Sequence, residues 1–116
     1  MHELAVTKSI LKLALDQTEQ HGGHRVVAIH LAIGEMRNLE EDWIQRYFDH
    51  ICKGTKAEGA RIHVRKIPVL FECRKCGERF TANLQEDKQI LCTHCDSFEY
   101  DLVNGRELIV EQLEVK

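Results

Sequence analysis

The sequence contains a single proline and no apolar run of the roughly 18 residues that a membrane-spanning helix needs. That absence excludes a helical membrane anchor. A formal net charge of −3 provides no electrostatic footprint for nucleic acid or for an anionic membrane surface. Residues 1–15 are apolar enough to raise the question of a signal peptide. Glu3, Lys8 and Lys12 interrupt them, however, and no small-residue cleavage site follows. They read as an amphipathic helix retained in the mature chain. No internal repeat or low-complexity stretch is present. The 116 residues suffice for one compact core, or for a small core plus a metal-held satellite.

Five cysteines leave one over in any disulfide scheme, and without a signal sequence that scheme is weak. Four of the five form two Cys-x-x-Cys pairs, which is metal usage in a reducing compartment, the cytosol. Cys52 stands apart near the end of an expected helix and reads as a small core or boundary residue.

Leu4, Val6, Ile10, Leu11, Leu13, Ala14 and Leu15 give a broad apolar face at helical spacing, and Gly22-Gly23 ends that helix. Residues 25–33 are β-branched and alternate, with Val27, Ile29, Leu31 and Ile33 against Val26, Ala28, His30 and Ala32. A second helix is expected over residues 40–53, where Trp43, Ile44, Tyr47, Phe48 and Ile51 recur at helical spacing before Gly54. Residues 60–67 alternate again and stop at Pro68. The last segment, 107–115, sets Leu108 and Val110 against Ile109, Leu113 and Val115. It is expected to return to the first sheet, which makes residues 68–105 an insertion between two strands.

Within that insertion, Cys73-Arg74-Lys75-Cys76 and Cys92-Thr93-His94-Cys95 stand fifteen residues apart. A Cys-x-x-Cys turn brings two thiolates to one metal at tetrahedral angles, and two such turns complete four-coordination without leaving a place for water. The site reads as structural zinc. A redox-active dithiol and an iron site in the same cage are the alternatives. Metal is needed because few large apolar residues (Phe71, Phe80, Leu84, Ile90, Leu91, Phe98, Tyr100) are available to fold this segment. His94 lies between two ligands and reads as an exposed knuckle residue, with a spare ligand as the other reading.

A second metal site is conceivable at the amino terminus. His2 should hinder removal of Met1, so the chain is expected to begin there. The amine, the amides of His2 and Glu3 and the His2 imidazole could then close fused chelate rings around nickel(II) or copper(II), ions suited to planar nitrogen donors. His21, His24, His30, His50 and His63 each read as surface or satisfied histidines.

Together these features resemble the HypA/HybF family, nickel metallochaperones for maturation of nickel-iron hydrogenase. The resemblance rests on Met1-His2-Glu3, Ile33-Gly34-Glu35, Ala57-Glu58-Gly59-Ala60, the two Cys-x-x-Cys pairs and Gly105-Arg106-Glu107-Leu108, in the expected order over the whole chain. It implies an α+β fold with two helices packed on a three-stranded sheet and an inserted zinc-ribbon-like domain. The expected division is a nickel domain of residues 1–67 plus 106–116 and a zinc domain of residues 68–105. The resemblance also implies nickel at Met1, His2 and Glu3 and zinc at Cys73, Cys76, Cys92 and Cys95. The implied partners are the GTPase HypB and the hydrogenase large-subunit precursor, with urease or its accessory protein as a further client. A monomer or weak homodimer is expected.

The competing class is a zinc-ribbon module that binds protein or nucleic acid without nickel transfer. Residues 68–105 carry four Lys/Arg and seven Asp/Glu, a balance that repels phosphates. An enzyme is disfavoured because protein ligands saturate the zinc and no nucleophile-base constellation is visible.

Overall fold

The computed structural model describes residues 2–116, and for His2 and Glu3 only the backbone. Helix α1 (His2–Gln20) is followed by β1 (Val26–Gly34), a short 3-10 turn (Glu35–Arg37), α2 (Glu41–Ile51) and β2 (Arg61–Ile67). Next come β3 (Leu70–Cys73), β4 (Arg79–Phe80) and β5 (Tyr100–Asn104), and β6 (Leu108–Val115) closes the chain. Two three-stranded sheets result, ordered β2-β1-β6 and β4-β3-β5. Strand β1 runs parallel to β2 and antiparallel to β6.

Each sheet has its own core. Ile10 and Ala14 of α1 and Ile44 and Phe48 of α2 pack on Ile29, Leu31 and Ile33 of β1 and Ile62 of β2. Cys52 is buried in the same cluster, as expected of a small apolar residue, and burial pushes its thiol above the ordinary range. The second core gathers Val69, Phe71, Phe80, Cys73 and Cys92. Phe71, Phe80 and Tyr100 form an aromatic triangle with centroids 4.9 to 5.6 Å apart.

The expected segments all form, with four local differences. Val26, not Val27, packs in the core with Ile29, Leu31 and Ile33, because the register of β1 with β6 shifts between Val26 and Ala28. Leu113 packs inward with Leu108 and Val110 and does not share the face of Ile109. His30 pairs with Gln112 and Leu31 with Val110, so Glu111 is an extra residue, a β-bulge that reverses the alternation. Trp43 does not enter the core. It is 48% exposed and lies against Tyr47, with the Arg46 guanidinium 5.0 Å from its ring. Phe98, counted among the apolar residues of the insertion, is 78% exposed.

Strand β2 lies at a sheet edge, and α2 satisfies that edge. Glu41 accepts a hydrogen bond from the Val64 N–H at 2.7 Å, and the Gln45 carbonyl accepts one from Ile62 N–H at 2.7 Å. Four helical residues rise about 6 Å, which matches two strand residues at about 6.6 Å. Side chains at i and i+4 on the helix therefore meet alternate amides of the strand, and the edge is closed to pairing with another chain.

The two sheets join where β1 ends. Gly34 donates its N–H to Glu107 O and Met36 donates to Gly105 O, both at 2.8 Å. The Glu35 carboxylate accepts from Val69 N–H at 2.9 Å, and Arg37 Nε donates to Arg106 O at 2.7 Å. A Cβ on Gly34 would stand 2.1 Å from the carbonyl carbon and oxygen of Gly105. Gly105 has φ +130°, which a side chain would strain. Because the obstacle is backbone, Gly34→Ala is expected to destabilise the protein by about 3 kcal/mol or more, read by denaturant unfolding. A loss under about 1 kcal/mol would show that the junction yields freely.

Candidate metal centre

Cys73 ends β3, and the chain then turns through Cys76 into Gly77; the second turn runs from Cys92 through Cys95 into Asp96. The two turns share one hydrogen-bond plan. Gly77 N–H donates to Cys73 O at 3.0 Å and Asp96 N–H to Cys92 O at 2.9 Å. Cys73 N–H donates to Glu78 O at 2.9 Å and Cys92 N–H to Ser97 O at 2.8 Å. The residue after each second cysteine is left-handed, with φ +76° at Gly77 and +61° at Asp96. Glycine takes that conformation freely, and Asp tolerates it better than most residues.

These turns aim four sulfurs at one point. All four lie within 4.8 Å of one another. Cys73 Sγ is 3.5 Å from Cys95 Sγ, and Cys76 Sγ is 3.6 Å from Cys92 Sγ. A tetrahedron with metal–sulfur bonds of about 2.3 Å has sulfur edges of about 3.8 Å. The cage therefore fits a tetrahedral thiolate metal with small adjustments. Cys76 N–H points at Cys73 Sγ at 3.5 Å and His94 N–H at Cys92 Sγ at 3.4 Å, the outer support expected of thiolate ligands. Cys73 and Cys92 are buried, whereas Cys76 and Cys95 face outward.

Charge explains why such a cage needs a cation. The Cys76 backbone amide, helped by the Lys75 amide and the S–H groups of Cys95 and Cys76, holds the Cys73 thiol down to about 6. The Glu78 amide favours a thiolate at Cys76. Desolvation and the sulfurs of Cys92, Cys73 and Cys95 outweigh it and push that thiol up to about 12. The first negative charge is thus welcome and the later ones are costly, until a dication balances them.

Among the described residues this is the one cluster of three or more cysteine, histidine or carboxylate side chains close enough to hold a metal. His94 is exposed, and four sulfurs already fill the tetrahedron. Met1 lies outside the described residues, as do the side chains of His2 and Glu3. Sequence reasoning missed the matching hydrogen-bond plan of the two turns, although Gly77 after Cys76 was a visible signal. It also missed the meeting of Ile33-Gly34-Glu35 with Gly105-Arg106-Glu107, two motifs distant in sequence.

Residues 1–115 match the family described as "Hydrogenase/urease nickel incorporation, metallochaperone, hypA". The chain belongs to the HypA family. It is 33% identical over 116 residues to the hydrogenase maturation factor HypA of Geotalea uraniireducens, covering 100% of both chains. To the protein of the same name from Dehalococcoides mccartyi it is 31% identical over 115 residues, covering 99% of this chain and 94% of that protein. The solution structure of the nickel metallochaperone HypA from Helicobacter pylori superposes with a TM-score of 0.65 at 21% identity, covering 97% of this chain and 96% of that one. A second solution structure of a HypA protein gives 0.71, also at 21% identity, over 100% of this chain and 97% of that one. The fold is thus shared with these proteins. Members of the family are nickel metallochaperones and maturation factors, not enzymes. No helix among the described residues is long and apolar enough to cross a membrane.

The cage has a pH dependence of definite sign. The fold lowers Cys73 to about 6 from the ordinary 9.0, so it favours that thiolate. This contribution is complete above pH 9 and is lost as pH falls through about 6. Protons compete with zinc for the four sulfurs, and bound zinc holds them deprotonated below the value of about 6 that the metal-free Cys73 thiol has. Zinc loaded at neutral pH is therefore expected to pass to a chelator progressively only in acid below that value. Retention of the metal far into acid would contradict this. Replacing Asp96 by Gly, which relieves the left-handed residue, is expected to raise thermal stability by roughly 0.5 kcal/mol, while Gly77→Ala lowers it by about 1 kcal/mol.

Proposed function

We propose that this protein carries nickel(II) on Met1, His2 and Glu3 and delivers it during maturation of nickel-iron hydrogenase, with zinc held by Cys73, Cys76, Cys92 and Cys95. The observation that carries the reading is whole-chain membership of the nickel-incorporation family together with an amino-terminal Met-His-Glu. The four converging sulfurs support the zinc assignment, because their separations match the thiolate tetrahedron that zinc prefers.

The two metals play different parts. Zinc saturated by four thiolates is a folding element and docking scaffold, whereas nickel is cargo. An amine, amides and an imidazole suit a planar nickel ion, and a site at a chain end can pass its ion on by ligand exchange. Acid should empty it, because amine and imidazole must be deprotonated to bind. Copper binds nitrogen donors more tightly than nickel does, so selectivity depends on metal supply and on contact with the receiving protein.

On this reading residues 1–67 with 106–116 form the nickel domain and residues 68–105 the zinc domain. HypB and the hydrogenase large-subunit precursor are the transient partners, urease is a further client, and the setting is the cytosol. The separate cores of the two sheets agree with that division.

Nickel titration of zinc-loaded protein tests the assignment, comparing the native amino terminus with His2→Ala and with a chain extended before Met1. One nickel per native chain is expected at the tight site, with affinity reduced at least tenfold in both variants. Equal tight binding in all three would move the site elsewhere and leave the family likeness as a statement about fold.

A further inference from the structure

The outer face of the β2-β1-β6 sheet, opposite α1 and α2, brings two histidines and a carboxylate together. The register sets three rows across this face. Arg61, Ala28 and Glu114 form one row; His63, His30 and Gln112 the next; Arg65, Ala32 and Ile109 the third. Two histidines thus stand side by side on adjacent parallel strands. Their rings are stacked, with centroids 4.8 Å apart and planes 17° from parallel. His30 Nε2 lies 2.7 Å from the Glu114 carboxylate.

We infer that His30 and His63 form a bis-imidazole site for a divalent transition metal, with Glu114 as the residue that orients His30. A carboxylate only accepts hydrogen bonds, so in the neutral ring His30 Nε2 carries the proton and Nδ1 keeps its lone pair for a metal. An imidazole that donates one N–H to a carboxylate and offers the other nitrogen to a metal is the commonest arrangement among metal-ligating histidines. His63 supplies the second imidazole from the neighbouring strand and is exposed, so its ring can splay to bring a nitrogen to the ion. Imidazole donors suit nickel, copper and zinc in preference to magnesium or calcium.

The charges around the pair are balanced. Arg65 is engaged by Glu111 through Nε at 3.2 Å and a second nitrogen at 2.8 Å, which pairs its positive charge. Arg61 is offset by Glu114 in the same row across Ala28. Small residues at Ala28 and Ala32 leave the histidines standing above the centre of the face. Two protein nitrogens leave the rest of the coordination sphere to water, so the site exchanges its ion readily. This inference does not rest on the amino-terminal reading, because it uses none of Met1, His2 and Glu3.

The test uses zinc-loaded chain extended before Met1, so that the amino-terminal donors are blocked, with Ni(II) as probe. Titration calorimetry is expected to show one Ni(II) per chain, and the ion is expected to broaden the imidazole proton signals of His30 and His63. Uptake should disappear in His30→Asn and in His63→Asn, fall about tenfold in affinity in Glu114→Gln, and be unchanged in the control His24→Asn. Zinc content and thermal unfolding identify any variant that has lost its fold. His63→Asn, on the edge strand, carries the decision if His30→Asn is unstable. No uptake by the extended chain, or uptake in the two histidine variants equal to that of the unsubstituted extended chain, overturns the inference.

Discussion

The backbone contact between Gly34 and Gly105 is the constraint on which the arrangement of this molecule depends. β1 is the central strand of the first sheet, so the chain must leave from β2 on one side and return to β6 on the other. Both crossings occur at the carboxyl end of β1. Only backbone without a side chain at Gly34 lets β6 begin opposite Ile33, as it does with Leu108. The residues that follow then fasten the inserted segment at both ends. Glu35 takes the amide of Val69 at the exit, and Met36 and Arg37 take the carbonyls of Gly105 and Arg106 at the return. The four residues Gly34 to Arg37 therefore fix where the thiolate cage sits relative to the helices.

Beyond that junction the insertion has little apolar mass. Val69, Phe71 and Phe80 make a core with two of the cage cysteines, Cys73 and Cys92, as members of it. A core that includes the metal ligands themselves couples packing to coordination. The aromatic triangle buries one side of the cage, while Cys76 and Cys95 remain on the outer side. Metal binding of this kind contributes on the order of 10 kcal/mol to folding in small zinc peptides, more than such a core could provide alone. The exposed Phe98 is consistent with that balance, since the segment folds without burying its fourth aromatic ring.

What the sequence reveals about this protein follows from the range of the interaction concerned. The cage is legible because each Cys-x-x-Cys turn is local, and the spacing of the pairs suffices to bring them together. β2, and β1 from Ala28 onward, are legible because their alternation is unbroken there, whereas the register shift between Val26 and Ala28 at the start of β1 leaves no mark in composition. β6 is legible as a strand, but the face of Leu113 is not, because the bulge at Glu111 alters register without altering composition. Trp43 has the periodicity of a core residue, yet a wide apolar stripe does not say which of its margins meets the sheet. The stacking of His30 on His63 depends on the parallel register of two strands separated by a helix, which neither strand encodes alone. A cue for the closed edge of β2 was present, since Glu41 and Gln45 are polar residues four apart on a helix that precedes an alternating strand.

The donor chemistry of the cage and of the proposed amino-terminal site leads to opposite exchange behaviour. Four thiolates around one ion leave no coordination position through which a competing ligand can attack, and two of the sulfurs are buried. At neutral pH an ion held there leaves when a turn opens, and the shared hydrogen-bond plan of the two turns resists opening. Nitrogen donors at a chain end are free to move apart one at a time. A receiving protein can replace them stepwise, so the ion is never without ligands during transfer. A single site could not serve both ends, because the rigidity that makes zinc a folding element would trap nickel. On the proposed reading, placing the two metals on different donor sets resolves that conflict, while the junction at Gly34 and Gly105 fixes how the cage-bearing sheet joins the first sheet.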